Sequence, residues 1–169
     1  SSDLPSATVT LEDFIDGIRS DEYAEKVKMI RDLLAENKKD EVNALKKTLP
    51  AISVSGTIRE GKRAKAAPEG RFEHSGLIQI DLDGKDNPSW SVAEMVALLK
   101  ADSYIQAGFI TPSGAGVKGF ARIPADIDTH KAAFLGLEAH FANLGLVIDS
   151  SCKDLVRLCF VSRDPEAWL

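Results

Sequence analysis

Leu77-Ile-Gln-Ile-Asp-Leu-Asp83 alternates strictly between apolar and polar residues. In an extended chain Ile78, Ile80 and Leu82 share one face, and Gln79, Asp81 and Asp83 share the other. This run reads as a strand with one buried face. On its C-terminal side Ser91-Val-Ala-Glu94 is a capping box, and Val92, Met95, Val96 and Leu99 give the helix that follows an apolar stripe. Tyr104–Ile110 and Val117–Ile123 read as strands joined by a turn at Pro112–Gly116, and so as a hairpin. Ala133, Phe134, Leu137, Phe141 and Leu144 define a long helix ended by Gly145. Two extended runs, Leu146–Ile148 and Leu155–Val161, flank the polar stretch from Asp149 to Asp154. From residue 77 the order is β-α-β-β-α-β, the split βαβ or ferredoxin-like plan shared by RNA-recognition-motif sheets, with both helices on one face. The other face is expected to be free for ligands.

Upstream of this core, Leu11, Phe14, Ile15 and Ile18 follow helical spacing behind Thr10, an N-cap residue. Tyr23, Val27, Ile30 and Leu34 repeat the pattern, and Val42, Leu45 and Leu49 give a third segment that Pro50 stops. These helices read as packing elements without chemistry. Ile52 and Val54 form a short strand leading into a stretch punctuated by Gly and Pro. The division is therefore a helical segment over 1–50, packed on an α+β core over 51–169. At 169 residues the chain fits one core, and its start at Ser1-Ser2 without Met reads as a domain cut from a longer protein.

Hydrophobic residues make up 44% and charged residues 28%, which sets disorder aside. No apolar stretch approaches the roughly 20 residues needed to span a bilayer, and no secretory signal is legible, so a cytoplasmic location is expected. Cys152 and Cys159 have no CxxC pairing and no nearby His, so neither a disulfide nor a zinc site is expected. The net charge is −5, yet residues 59–71 carry 5 Lys/Arg against 2 Asp/Glu. Arg59, Lys62, Arg63, Lys65 and Arg71 there suit phosphates, although a mobile, solvated linker has the same composition.

Asp81 and Asp83 leave one sheet face about 7 Å apart along the backbone. Two carboxylates so close call for a counter-charge, and a divalent cation supplies one. A solvated strand end before Gly84 is the other reading. Thr111-Pro-Ser-Gly-Ala-Gly-Val-Lys118 is a small-residue turn whose backbone N–H groups can approach a phosphate. Ser113, Gly114, Gly116 and Lys118 are its candidate ligands, and Phe120 and Arg122 share the face of Lys118. The spacing is not that of a Walker loop. In the ferredoxin-like plan the strand beginning at Lys118 lies antiparallel to the one ending at Asp83. The last strand, also antiparallel to it, brings Arg157 to the same edge with Asp149 just before. Three acids and two cations at one sheet end describe a metal-dependent phosphoryl or nucleotidyl transfer site.

His74-Ser-Gly-Leu-Ile-Gln-Ile-Asp-Leu-Asp83, the Thr111–Lys118 turn, Ile148-Asp149 and Arg157-Leu-Cys-Phe-Val-Ser-Arg-Asp-Pro165 together resemble the VirE N-terminal domain family. That family is a branch of the archaeo-eukaryotic primase superfamily, found mainly in bacterial, phage and mobile-element proteins. The three-helix lead and Leu49-Pro50-Ala-Ile52 also fit. The resemblance implies a DNA primase-polymerase catalytic domain with Asp81, Asp83 and Asp149 holding Mg²⁺ or Mn²⁺. Ser113, Gly114, Gly116, Lys118 and Arg157 would then hold a nucleoside triphosphate. Arg59, Lys62, Arg63, Lys65, Arg122 and Arg163 would meet a single-stranded DNA template, with a helicase or other replication domain on the same longer chain. The superfamily's second motif ends in His where this chain has Lys118, which binds phosphate as a point charge. Two other functions suit the same residues: an inactive domain that binds nucleotide or single-stranded nucleic acid, and a metal-dependent phosphoesterase.

Overall fold

Three helices come first in the structure, a computed structural model that describes residues 4–169; the first three residues of the expected helical segment lie outside it. They are α1 (Leu11–Arg19), α2 (Ala24–Ala35) and α3 (Lys39–Lys46). The Thr10 hydroxyl caps α1, accepting from the Asp13 N–H at 3.1 Å. Next come β1 (Ala51–Ser53) and a hairpin of β2 (Gly56–Ile58) with β3 (Phe72–His74). The core elements follow as β4 (Leu77–Asp83), α4 (Val92–Ala101), β5 (Ile105–Ile110), β6 (Gly116–Arg122), α5 (His130–Asn143) and β7 (Leu158–Phe160). The fold is α+β, with antiparallel pairing throughout. No helix among the described residues is long and apolar enough to cross a membrane.

The central sheet has the order β4-β6-β5. Ile78, Ile80 and Leu82 of β4, with Val117 and Ala121 of β6, bury their side chains against Met95 and Leu99 of α4 and Phe134, Leu137 and Phe141 of α5. The Ser91–Glu94 capping box forms as expected and fixes where α4 begins. A bulge between Ile105 and Ala107 switches the facing of β5, so Ile105 enters this first core while Ala107 and Phe109 turn to the opposite face.

That opposite face is not free, contrary to the sequence reading. Phe109 and Phe120 are buried there beneath α1, with Phe14 stacked on Phe120 at 5.8 Å and edge-on to Phe109 at 6.0 Å. Ile15, Ile18, Ile30, Val42 and Leu49 from the N-terminal segment, and Cys159 and Val161 from the C-terminal one, complete a second core. The apolar stripes of three amphipathic helices need a surface to cover, and the sheet's second face is the one they take. Phe120 is thus a core residue and is closed to ligands.

The C-terminal run differs as well. Only Leu158–Phe160 is a strand, and it pairs with β1 in the register Ala51↔Phe160, Ile52↔Cys159 and Ser53↔Leu158. The place beside β4 is taken by the preceding segment, where the Asp149 N–H donates to the Asp81 carbonyl at 2.9 Å. The Asp149 side chain then caps a 3₁₀ turn over Ser150–Lys153, which bends the chain away before a ladder can extend. Residues 59–71 are not an unstructured linker either. The β2–β3 pairing continues through the Arg59 N–H to the Arg71 carbonyl at 2.9 Å, and Arg63–Lys65 forms a 3₁₀ turn at the tip.

Truncating the ring that joins the N-terminal segment to the sheet should be costly. We expect Phe14→Ala to lower the unfolding free energy by about 3–5 kcal/mol, measured by urea titration with the midpoint followed by circular dichroism.

Candidate functional site

The β4–β6 ladder sets Asp81 opposite Lys118 and Asp83 opposite Gly116. Alternation then sends all four away from the first core, at the end of the sheet that the N-terminal helices leave uncovered. A cleft of about 440 Å³ opens there. Asp81, Asp83, Ser113, Gly116, Lys118 and Arg157 line it, as does Arg63 from the basic hairpin tip. The acid pair, the small-residue turn and three of the expected cations thus meet in one place.

Lys118 is the centre of the polar network. Its ammonium donates to Asp81 Oδ2 at 3.1 Å and to Gln79 Oε1 at 3.0 Å, and only 12% of the side chain is exposed. Burial works to lower its pKa, but the negative charges of Cys159, where it ionises at high pH, and of the Asp81 carboxylate outweigh it and hold Lys118 above the ordinary lysine value. Because both neighbouring thiols stay protonated at neutral pH, Asp81 supplies the full negative charge. The acids are therefore not without an internal counter-charge, as the spacing alone suggested. Gln79 is itself buried, and its amide donates to the Arg157 carbonyl at 3.0 Å, tying the last segment to β4.

Asp149 reaches β4 through its backbone, while its carboxylate is engaged locally. Asp149 Oδ1 accepts from the Ser151 N–H at 2.9 Å and the Ser151 hydroxyl at 2.8 Å. Burial pushes the carboxyl up, yet these bonds and the nearby Arg157 and Lys118 hold it below the usual carboxylate range. It does not line the cleft. Among the described residues, no three His, Cys, Asp or Glu side chains are arranged to hold a metal ion.

The turn is held from behind by a residue the sequence reading passed over. Arg31 of α2 donates to the carbonyls of Pro112 at 3.3 Å, Thr111 at 3.2 Å and Arg163 at 3.4 Å. Gly114, at φ +74°, sits directly over it: a Cβ there would lie 3.1 Å from Arg31 Nε. Gly84 permits the close approach of the acid end, since its N–H donates to the Ala115 carbonyl and a Cβ would lie 2.5 Å from that oxygen. Lys46 and Phe160 also line the cleft and were not anticipated. The signal for Arg31 was present: it falls four residues after Val27, on the stripe of Val27, Ile30 and Leu34 where an apolar side chain is due.

Other expected ligands lie elsewhere. Arg122 donates to Gln106 at 3.0 Å, Arg59 pairs with Glu73, and Arg71 pairs with Glu69. Arg163 pairs with Asp21 at 2.8 Å and not with Asp164, whose carboxylate accepts from the N–H groups of Ile110 and Glu166. Lys62 and Lys65 sit at the hairpin tip and do not line the cleft. His74 and His130 meet at 3.0 Å away from it, and His140 pairs with Asp102 at 2.6 Å. Trp90 and Trp168, partly buried, pack against the first core.

Residues 44–168 match the family model described as BT4734-like, N-terminal domain. No curated protein and no solved structure matches the chain.

Two predictions follow from this network. Burial raises the thiols, Cys152 to about 11 and Cys159 to about 12, with Lys118 opposing the shift. Ellman's reagent at pH 8 should leave both unlabelled in the folded protein and titrate two thiols in denaturant. Stability from the buried thiols is present below about pH 9 and is lost as pH rises through about 11. Separately, Arg31→Ala should cost about 2 kcal/mol, the scale of lost charge-assisted hydrogen bonds. In hydrogen exchange it should speed the amides of Gly114 to Gly116 more than those of β4.

Proposed function

The chain belongs to the BT4734-like N-terminal domain family, and we propose that it is the catalytic domain of a primase-polymerase. In this reading it joins nucleoside triphosphates on a single-stranded DNA template. The observation that carries the reading is the meeting of Asp81, Asp83, the Ser113–Gly116 turn, Lys118 and Arg157 in one cleft. The resemblance to the VirE N-terminal domain family points the same way. We read the β4-β6-β5 sheet, with α4 and α5 on one face, as three strands of a βαββαβ plan whose fourth place is filled by the segment around Asp149.

The donor set suits a hard cation. Mg²⁺ is commonly held by one or two carboxylates together with substrate phosphates, so Asp81 and Asp83 suffice without a closed protein cage. Mg²⁺ or Mn²⁺ there would supply charge stabilisation to the attacking and leaving oxygens of phosphoryl transfer. Asp149, held by Ser151, adds negative potential beside them. The turn offers the Ser113 hydroxyl to phosphate oxygens, its Gly114 and Ala115 N–H groups being bonded to the Thr111 carbonyl and the Ser113 hydroxyl, and Arg157 and Arg63 add positive charge to meet the negative charge of the substrate. Lys118, held by Gln79, keeps Asp81 oriented and stands where a phosphate can share its proton donors. Lys62 and Lys65, outside the cleft at the hairpin tip, are placed to meet a template backbone by charge. A helicase or other replication domain on a longer chain remains part of this proposal.

One observation favours a second reading. The Lys118–Asp81 ion pair already satisfies half the acid pair, as an inactive nucleotide-binding or single-strand-binding domain would have it.

Incorporation of labelled nucleotides on a single-stranded template, with Mg²⁺ or Mn²⁺, separates the readings. Extension that Asp83→Asn abolishes is the expected result, and Mn²⁺ at a hundred times its Kd should stabilise the parent by about 2.7 kcal/mol but not this variant. Binding without extension would leave the inactive domain, and cleavage of the strand would indicate a phosphoesterase.

A further inference from the structure

Strand β7 alternates in a way that the phosphate chemistry does not use. Cys159 is buried in the second core, while Leu158 and Phe160 on either side of it are half-buried and line the cleft. The pairing with β1 fixes this: Ile52 opposes Cys159, and Ala51 and Ser53, both small, oppose Phe160 and Leu158. Two apolar side chains, one of them aromatic, therefore stand on the cleft wall beside Lys46, Arg63 and Arg157.

Phe160 rests on the second core along one part of its surface and meets the cleft with the rest. Lys46 Nζ lies 5.8 Å from its ring centroid, near the outer limit of a cation–π contact, so it borders the ring without sealing it. The cleft thus has two unlike kinds of lining. The Ser113–Gly116 turn, Lys118 and Arg157 offer donors and charge, and Leu158 with Phe160 offers an apolar, partly aromatic surface. A volume of about 440 Å³ falls in the range of small-molecule sites. A ligand that satisfies both carries an anionic group and a planar ring.

Resting on the triphosphate reading of the cleft, we propose that Phe160 is the platform on which the nucleotide's heterocyclic base stacks, with Leu158 extending the surface. Stacking tolerates every base because each has a π-face. The subsite therefore accepts nucleotides as a class and leaves the choice among bases to the template. Phe160 acts as a binding residue and takes no part in the bond-making step.

Calorimetric titration in Mg²⁺ with ATP, and in parallel with inorganic tripolyphosphate, tests this. The parent should bind ATP more tightly than tripolyphosphate by roughly tenfold or more, the scale of one base–aromatic stack. Phe160→Leu should lower ATP affinity to that of tripolyphosphate and leave tripolyphosphate itself unchanged, while Phe160→Tyr should retain the difference. If Phe160→Leu leaves ATP binding at the parent level, or weakens both ligands equally, the stacking platform is overturned while the triphosphate site stands. If the parent binds neither ligand, the triphosphate reading itself falls, and this inference with it.

Discussion

The antiparallel register of β4 on β6 is the constraint from which the rest of the molecule follows. Side chains on a strand alternate with a period of two, so one choice of register settles the facing of every residue on both strands. With Asp81 opposite Lys118, the apolar residues Ile78, Ile80 and Leu82 meet α4 and α5, and Gln79, Asp81 and Asp83 turn the other way. A slip of one residue would bury three polar groups in the first core and turn three branched aliphatics toward the face that carries the cleft. The large energetic penalty for that slip is what fixes the position of the acids. The chemistry of the cleft is set by packing on the far side of the sheet.

The second face shows how a core and a site share one surface. Phe109 and Phe120 draw α1 down through Phe14, and the three N-terminal helices then cover much of the face. What remains open is the end where polar residues of β4 and β6 have no apolar partner to offer. Arg31 links the two regions, since a side chain of the covering segment hydrogen-bonds the turn that borders the opening. The N-terminal helices are therefore part of the site's support as well as its boundary.

Much of this was legible in the residues, and the failures have physical causes. The alternation of 77–83 gave β4, the Ser91–Glu94 box gave the start of α4, and the apolar stripes gave α1 to α3, because each is a local pattern with a local cause. The pairing of β7 with β1 was not legible, because partner choice depends on which edge remains open after the Asp149-capped turn has bent the chain. The covered second face was missed for a related reason: stripes on helices show that they must pack, but not on what. In the cleft, Asp81, Asp83 and Lys118 were found from spacing. Gln79 looked like an ordinary polar strand residue, Arg31 interrupted an apolar helix stripe without showing what it would bond, and Phe160 lay in an extended run without showing which side it would face. Their roles come from elements distant in sequence.

The β1–β7 pairing joins residues more than a hundred positions apart, whereas β4, β5 and β6 find one another within a short span. Closing so long a loop is entropically unfavourable until other contacts have shortened it, so the pairing is expected to form late in folding. During synthesis the three helices emerge well before Cys159 and Val161, which complete the core beneath them more than a hundred residues later. A nascent chain can therefore assemble the acid-bearing ladder while the wall carrying Leu158 and Phe160 is still absent. The cleft acquires its second side only once residues 158–160 have been made and paired with β1, which ties its completion to that of the fold.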